Sequence, residues 1–303
     1  MSLLRVLFFG NHTVGVEALR TLCVHVQVVG VVAHPNDPED GVRYDSVYDC
    51  ARAAGIPVIR GRGNSRQVHE FSVGAFADLF WVTDYRYLLP SSLVSMAPLG
   101  AINLHPSLLP RYRGRAPINW AILHGETQLG LTAHFIAAGI DDGDIILQKS
   151  FELSKDEDVG DALNKLMPLY RHITSEVIRG FIENRGVQRF RQVPDGRTEF
   201  PARRPEDGEI DWSNSAFSIL NLIRAVARPY PGAFTFLEGK KIHLWKAALS
   251  QQSTSAPSGQ VFDLHGGRPV VSCGSGALLM CEFSDESSAE VLVRVGDRFG
   301  DHS

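Results

Sequence analysis

Residues 1–33 read MSLLRVLFFGNHTVGVEALRTLCVHVQVVGVVA and contain two short apolar runs, Leu4–Phe9 and Val26–Ala33. Between these runs, apolar residues from position 14 to position 22 recur every three or four residues, which is the spacing of an amphipathic helix. The second run is continuous and rich in valine, as expected for a strand that is buried on both faces of a sheet. A strand, a helix and a strand in this order predict a parallel α/β fold with a right-handed crossover.

The same alternation continues through the first two thirds of the chain. We predict a helix at 45–54, strands at 76–82 and 100–104, and a long amphipathic helix at 159–184. These elements favour an α/β domain with a Rossmann-like, mostly parallel sheet and helices on both faces. We assign residues 1–190 to this domain.

The remainder of the chain has a different pattern. Residues 194–209 are polar and rich in proline, glycine and arginine, so we assign a linker to 191–210. After a helix at 217–227, short apolar runs punctuated by glycine and proline predict a smaller β-barrel-like domain, an open barrel, over 211–303. The strands predicted in it are 233–236, 241–247, 259–262, 270–273, 277–283 and 290–295.

Composition narrows the classes of function. The chain has 303 residues, of which 44% are hydrophobic and 21% charged, and these values exclude a coiled coil or a wholly disordered chain. No apolar run reaches the roughly 18 residues of a membrane span. The first residues do not form a signal peptide, and the four cysteines lack a metal spacing, so we expect a cytoplasmic protein. The net charge of −4 does not indicate a protein built to bind nucleic acid.

The segment that is most informative about chemistry is GAINLHPSLLP, residues Gly100–Pro110. Because side chains alternate along a strand, Asn103 and His105 share one face, and Pro106 ends the strand directly after them. Both side chains are then expected at the carboxyl end of a strand, where open parallel sheets bind ligands. An asparagine amide can stabilise a developing oxyanion, and a histidine can move a proton near neutral pH. The alternative is that both side chains only satisfy local backbone groups.

A group of carboxylates follows in FIAAGIDDG, residues 135–143, and at Asp144. A carboxylate placed beside His105 would hold the tautomer of its ring and raise its pKa. An acidic turn on the surface would have a similar sequence. The spacing of the histidines matches no zinc motif, so we expect no metal.

The motif NLHPSLLP at Asn103–Pro110, with Asp141 further along the chain, resembles the 10-formyltetrahydrofolate-dependent formyltransferase family. The resemblance extends to about residue 185 and continues through Asp211–Trp212 to Pro229–Phe234. It implies a Rossmann-like catalytic domain followed by a β domain, and 10-formyltetrahydrofolate as the formyl donor without a metal.

The resemblance also implies roles for individual residues. Asn103 would stabilise the oxyanion of the tetrahedral intermediate, and His105 would take the proton from the attacking amine and pass it towards the leaving folate nitrogen. Asp141 would orient His105 and raise its pKa. The residues that match positions near the folate are Tyr87, Leu88, Leu89, Arg115, Ala137, Ala138, Gly139 and Ile140.

Three classes of acceptor amine are compatible with this resemblance. Methionyl-tRNA formyltransferases carry a basic insertion after the second strand, whereas residues 35–44 contain three acidic residues and one arginine. Phosphate contacts need lysine and arginine, so nucleic acid is the weaker choice. The segments 84–89 and 113–120 are similar to sugar N-formyltransferases that act on UDP-4-amino-4-deoxy-L-arabinose.

We therefore predict that the acceptor is the primary amine of a nucleotide-linked amino sugar. Methionyl-tRNA and a small amine such as hydroxyornithine are the alternatives among enzymes, and an inactive homologue that binds folate is the alternative outside them. The sequence leaves the oligomeric state open, a homodimer included.

Overall fold

A computed structural model describes residues 3–35, 44–184 and 186–300. The chain divides into two structural units. The first comprises residues 1–114, 129–151 and 164–200, and the second comprises residues 115–128, 152–163 and 201–303. The domain boundaries predicted from the sequence, at about residues 190 and 210, stay a prediction.

The order of the elements begins with alternating strands and helices. The elements up to the long helix are β1 (Arg5–Gly10), α1 (His12–His25), β2 (Gln27–Ala33), α2 (Val47–Ala53), β3 (Val58–Arg60), α3 (Arg66–Ala75), β4 (Leu79–Thr83), α4 (Ser91–Val94), β5 (Ala101–His105), β6 (Arg113–Gly114), α5 (Pro117–Leu123), β7 (Gln128–Phe135), β8 (Ile145–Glu152) and α6 (Val159–Asn184). The later elements are β9 (Glu199–Phe200), α7 (Ala216–Val226), β10 (Ala233–Leu237), β11 (Lys240–Ser250), β12 (Val261–His265), β13 (Arg268–Ser272) and β14 (Ala277–Asp285).

The described part of the first unit is built on one seven-stranded sheet with the order β3-β2-β1-β4-β5-β7-β8. Strands β3, β2, β1, β4 and β5 pair in parallel, and β7 then pairs antiparallel to β5. Val6 to Phe9 in the central strand β1 are fully buried, as the continuous apolar run predicts. The prediction of a mostly parallel α/β sheet is confirmed.

Local sequence signals set several helix starts. Ser46, Ser65 and Ser215 precede α2, α3 and α7, and each serine hydroxyl accepts a hydrogen bond from a backbone N–H in the first turn. The helix predicted at 159–184 has those bounds in α6. The strand predicted from residue 76 begins instead at Leu79, because Phe76 has a left-handed φ of +48° and ends α3.

The second unit contains an antiparallel sheet with the order β10-β11-β14-β13-β12 among the described residues. Within this unit the side-chain amide of Asn119 in α5 donates to the carbonyl oxygen of Ala225 in α7 at 2.7 Å. The small C-terminal β domain is therefore confirmed. The strand predicted at 290–295 is wrong: Leu292 and Val295 are exposed, so the run buries no continuous apolar face.

The structure bears on two further sequence observations, the acidic loop and the absence of long apolar runs. Most of the acidic loop at 35–44, which weighed against nucleic acid, lies outside the described residues, at 36–43. Among the helices of the described chain, none combines the length and the apolar character needed to cross a membrane.

Candidate active site at the end of strand β5

Asn103 and His105 lie on one face of β5, as the alternation predicts. Asn103 is opposite Val82 of β4 and opposite His134 of β7, and His105 is opposite Thr132. The strand ends at His105, directly before Pro106. The two polar side chains therefore lie where the parallel part of the sheet ends, which is the expected ligand edge of such a sheet.

The tautomer of His105 is fixed by a backbone carbonyl. Its Nε2 lies 2.8 Å from the carbonyl oxygen of Tyr112, and a carbonyl can only accept a hydrogen bond, so Nε2 carries the proton. The sequence led us to expect that Asp141 holds the tautomer, and this is wrong, because the loop after β5 returns the Tyr112 carbonyl to the ring. In the neutral ring, Nδ1 is therefore left unprotonated.

Asp141 lies beside both histidines of the site. Its Oδ2 is 3.5 Å from Nδ1 of His105, and its Oδ1 is 3.4 Å from Nε2 of His134. The same Oδ2 accepts a hydrogen bond from the backbone N–H of Gly114 at 2.9 Å. The sequence prediction that Asn103, His105 and Asp141 converge agrees with these distances.

Burial and the neighbouring polar groups shift the pKa values of His105 and Asp141 in opposite directions. Burial lowers the pKa of His105 below its ordinary value, although Asp141 and the Tyr112 carbonyl raise it. Burial raises the pKa of Asp141, but His105, His134 and the Gly114 N–H together bring this pKa well below its ordinary value. Our expectation that Asp141 raises the pKa of His105 agrees with the sign of its contribution, whereas the net direction is set by burial. At neutral pH the site therefore holds an ionised carboxylate and a neutral imidazole.

His134 is a further site residue, which the sequence offered only as one of the histidines without a zinc spacing. Its Nδ1 donates to the carbonyl oxygen of Phe135 at 2.8 Å, which leaves Nε2 to accept from the side-chain amide of Asn103 at 3.3 Å. The Asn103 amide also donates to Oδ1 of Asp141 at 3.4 Å. The alternation of side chains along LGLTAHF in β7 would have pointed to His134, because Thr132 and His134 are polar residues two positions apart, on one face of a strand that is otherwise apolar and buried.

Three further residues support the site and carry little sequence signal. Gly114 has φ of +90°, and a Cβ on it would lie 2.4 Å from the carbonyl oxygen of Phe200, so glycine is required where its N–H meets Asp141. Gln192 donates to the carbonyl oxygens of Asp141 and Gly143 and accepts from Arg113. The contribution of a backbone N–H, or of a residue from a distant loop, cannot be read from residue types alone.

The residues predicted near the folate lie on exposed segments. Leu88 is 75% exposed and Ile140 is 41% exposed, and residues 137–139 are exposed as well. Leu89 and Ile136 pack against the same core cluster of the first unit, so the segments 87–89 and 137–140 extend from one region. Arg115 is exposed and belongs to the second unit. Their predicted contacts with folate stay a prediction.

Within residues 3–35, 44–184 and 186–300, no three side chains of histidine, cysteine, aspartate or glutamate are grouped as metal ligands.

Comparison with known families and proteins agrees with this geometry. The profile described as Formyl transferase matches residues 5–178, and the profile described as Formyl transferase, C-terminal domain, matches residues 203–294. The first match contains the whole candidate site except Gln192, and the second contains the strands of the antiparallel sheet.

Two curated relatives are similar to almost the whole chain. The methionyl-tRNA formyltransferase of Desulfotalea psychrophila is 37% identical over 96% of this chain and 91% of its own length. The methionyl-tRNA formyltransferase of Caldanaerobacter subterraneus subsp. tengcongensis is 32% identical over 96% of this chain and 95% of its own length. These matches overturn our prediction of a nucleotide-linked amino sugar as the acceptor, because that prediction rested on short segments and on the total charge.

The solved structure of WlaRD, a sugar 3N-formyl transferase with dTDP and 5-N-formyl-THF, superposes with a TM-score of 0.70 and covers 95% of this chain and 100% of that one. Its identity to this chain is 18%, so the likeness shows the fold. The sequence matches extend through both parts of the chain. The chain belongs to the formyl transferase family and is an enzyme that transfers a formyl group from 10-formyltetrahydrofolate.

Proposed function

We propose that this enzyme transfers the formyl group of 10-formyltetrahydrofolate to the amino group of methionyl-tRNA. The observation that carries the proposal is the similarity of 37% over 96% of the chain to a methionyl-tRNA formyltransferase. This similarity includes the C-terminal unit as well as the candidate active site, so it bears on the acceptor and not only on the chemistry.

In this proposal His105 is the general base. The amine nitrogen forms a bond to the formyl carbon, and the proton that it loses moves to Nδ1 of His105. Nδ1 is available because Nε2 already donates to Tyr112. When the bond between the formyl carbon and the folate nitrogen breaks, the same proton passes to that nitrogen, so that the imidazole returns to its neutral form.

Asp141 stabilises the protonated form of His105 during this transfer. The distance of 3.5 Å from Oδ2 to Nδ1 is that of an ion pair once the imidazole carries the proton. Since the side chain of His105 is almost fully buried, the attraction is weakly screened by water. The low pKa of Asp141 keeps the carboxylate ionised throughout the reaction.

Asn103 is the proposed donor to the formyl oxygen, which gains negative charge when the amine adds. Its amide N–H groups contact Asp141 and His134 at 3.4 Å and 3.3 Å, which is longer than the usual ~2.9 Å of such bonds. Catalytic hydrogen bonds are often long before substrate binds and shorten in the complex. A small rotation of the amide then directs one N–H to the formyl oxygen.

The formyl donor fits the segments that extend from the shared core region. Residues 137–140 have small or apolar side chains and are exposed, which leaves backbone N–H and C=O groups accessible to the edge of a heterocycle. Next to Tyr87, whose ring stacks on His34, the exposed side chain of Leu88 and its neighbour Leu89 offer apolar contacts. The donor supplies the activated formyl group, and we assign its binding to Tyr87, Leu88, Leu89, Ala137, Ala138, Gly139 and Ile140.

A cationic and aromatic face on the C-terminal sheet supports an RNA acceptor. The sequence of β11 begins KKIHLWK and has no acidic residue from Lys240 to Lys246. The ammonium group of Lys241 lies 4.0 Å from the ring of Phe234, and the guanidinium of Arg228 lies 4.2 Å from the ring of Trp245. Arg228 also pairs with Glu282 at 2.6 Å, and the ring of Phe234 is buried, so we assign the phosphate contacts to the lysines of this segment. Their grouping in one segment suits a tRNA better than the total charge of −4 suggests.

The test is transfer of a labelled formyl carbon from 10-formyltetrahydrofolate to purified acceptors. We expect formylation of methionyl-tRNA and none of free methionine or of tRNA charged with another amino acid. Labelling of an amino sugar or of hydroxyornithine without labelling of methionyl-tRNA would overturn the proposal.

A further inference from the structure

The side-chain amide of Gln192 makes four hydrogen bonds, which connect the segment that carries Asp141 to strand β6. Its Oε1 accepts from Nε of Arg113 at 3.2 Å and from Nη2 of Arg113 at 2.5 Å. Its Nε2 donates to the carbonyl oxygens of Asp141 and Gly143, each at 2.8 Å. A guanidinium can only donate and a carbonyl can only accept, so the orientation of the Gln192 amide is fixed from both ends.

Asp141 is held in an unfavourable backbone conformation. Its φ is +46°, in the left-handed region that residues with a side chain rarely adopt. Such a conformation persists only where the surroundings impose it, and it occurs often at functional sites. Here the Gln192 amide binds the carbonyl of Asp141, and the next residue but one, Gly143, is packed so closely that a Cβ would lie 1.9 Å from the Phe135 carbonyl.

Both residues of strand β6 hold Asp141, Gly114 directly and Arg113 through Gln192. The backbone N–H of Gly114 binds the side-chain Oδ2 of Asp141, and Gln192 binds its main-chain oxygen. Gly114 follows Arg113, which holds Gln192. Strand β6 therefore fixes the side chain of Asp141 through Gly114 and its main-chain oxygen through Arg113 and Gln192. Both Arg113 and Gln192 are less than 10% exposed, so the hydrogen bonds between them are largely shielded from water.

We propose that Gln192, held by Arg113, is a positioning residue that keeps Asp141 within ion-pair distance of His105. This inference rests on the proposed function, because it assigns Gln192 to the same site. Gln192 touches neither reacting atoms nor substrate in this account. It acts by setting the position of a carboxylate that raises the pKa of His105.

The test uses two variants of similar size and a control. Gln192→Glu keeps an acceptor for Arg113 but puts an oxygen against the Asp141 carbonyl, and Gln192→Met removes all four hydrogen bonds. Gln148→Met is the control, since the Gln148 amide also donates to two acceptors, the Leu109 carbonyl and the Thr132 hydroxyl, but none in the Asp141 segment.

We expect both Gln192 variants to lower kcat about 10- to 100-fold, the range seen when a group that orients a functional side chain is lost. KM for methionyl-tRNA should stay within about twofold, since in this scheme Gln192 contributes no binding to substrate. The NMR titration of the His105 imidazole should move to lower pH in Gln192→Met, whereas Gln148→Met should leave that titration unchanged. Gln192→Glu is assessed by kcat and KM alone, because its carboxylate would offset the positive charge of Arg113, which itself lowers the pKa of His105.

The NMR titration needs no turnover, so it separates the two proposals. If the wild-type enzyme does not formylate methionyl-tRNA, the proposed function fails while the titration still tests the role of Gln192. A His105 titration that is unchanged in Gln192→Met, or failure of both Gln192 variants to fold, would show a purely structural role and overturn the inference.

Discussion

Replacement of His105 by glutamine gives a sharp test of the proposed chemistry. The imidazole Nε2 of His105 makes one short hydrogen bond, to the Tyr112 carbonyl at 2.8 Å, and the side chain is 5% exposed. The amide of glutamine can donate to the same carbonyl, because its nitrogen reaches about as far from the backbone as Nε2. It cannot accept and release a proton near neutral pH.

The expected magnitudes for stability and activity differ. Leaving the buried Tyr112 carbonyl without a donor costs about 1–3 kcal/mol, and His105→Gln avoids this cost, so we expect its free energy of unfolding to change by less than about 1.5 kcal/mol. Loss of a general base slows a reaction by about 10²- to 10⁴-fold, which corresponds to about 3–5 kcal/mol in the barrier.

The assay is single-turnover formylation of methionyl-tRNA at saturating donor, together with equilibrium unfolding in urea. His124→Gln is the control, because His124 is exposed at the end of α5 and its Nδ1 donates to the Trp120 carbonyl of its own helix. We expect this control to react at the wild-type rate. If His105→Gln retains more than about a tenth of the wild-type rate while it is folded, His105 is not the base.

Three further predictions concern pH, backbone geometry and charge. Asp141→Asn should move the acid limb of the pH–rate profile to lower pH, because the carboxylate raises the pKa of His105. An unchanged limb would show that Asp141 does not influence the titration of His105. The folded-state pKa of Asp141 is depressed, so its contribution to stability is present above about pH 5 and is lost on acidification. The difference in unfolding free energy between wild type and Asp141→Asn should therefore shrink as the pH falls. Gly114→Ala should lower the free energy of unfolding in urea by about 2–5 kcal/mol, because of its positive φ and the contact with Phe200. Gly55→Ala, with φ of +68° and no atom within 4 Å of the added Cβ, should lower it by only about 1–2 kcal/mol. Equal losses would contradict the steric argument. Lys241→Glu should weaken binding of methionyl-tRNA and lower the slope of log affinity against log salt by about one. Lys155→Glu, which makes the same charge change at an exposed position before α6, should have a smaller effect. Equal effects would show that binding depends on the total charge rather than on the β11 face.

The choice of acceptor shows where sequence reasoning failed. The net charge of −4 is a sum over the whole chain, whereas phosphate binding depends on charges that lie together on one face. Residues 241–247 were predicted as a strand, but the lysines between Lys240 and Lys246 were not weighed apart from the total charge. Pairing with β10 and β14 places this segment, which includes Trp245, within a sheet that also carries Phe234.

The sequence alone determined the parts of this protein that depend on local periodicity. The apolar run of β1, the alternation that puts Asn103 and His105 on one face, and the long stripe of α6 follow from the fixed geometry of strands and helices. Only the tertiary structure decided how Asp141 is presented. Asp141 has a left-handed backbone. It is held by the N–H of Gly114 and the amide of Gln192, which come from segments far from it in the chain. The protonation of His105 likewise depends on burial and on the Tyr112 carbonyl, and both arise only when the loop after β5 folds back on the ring.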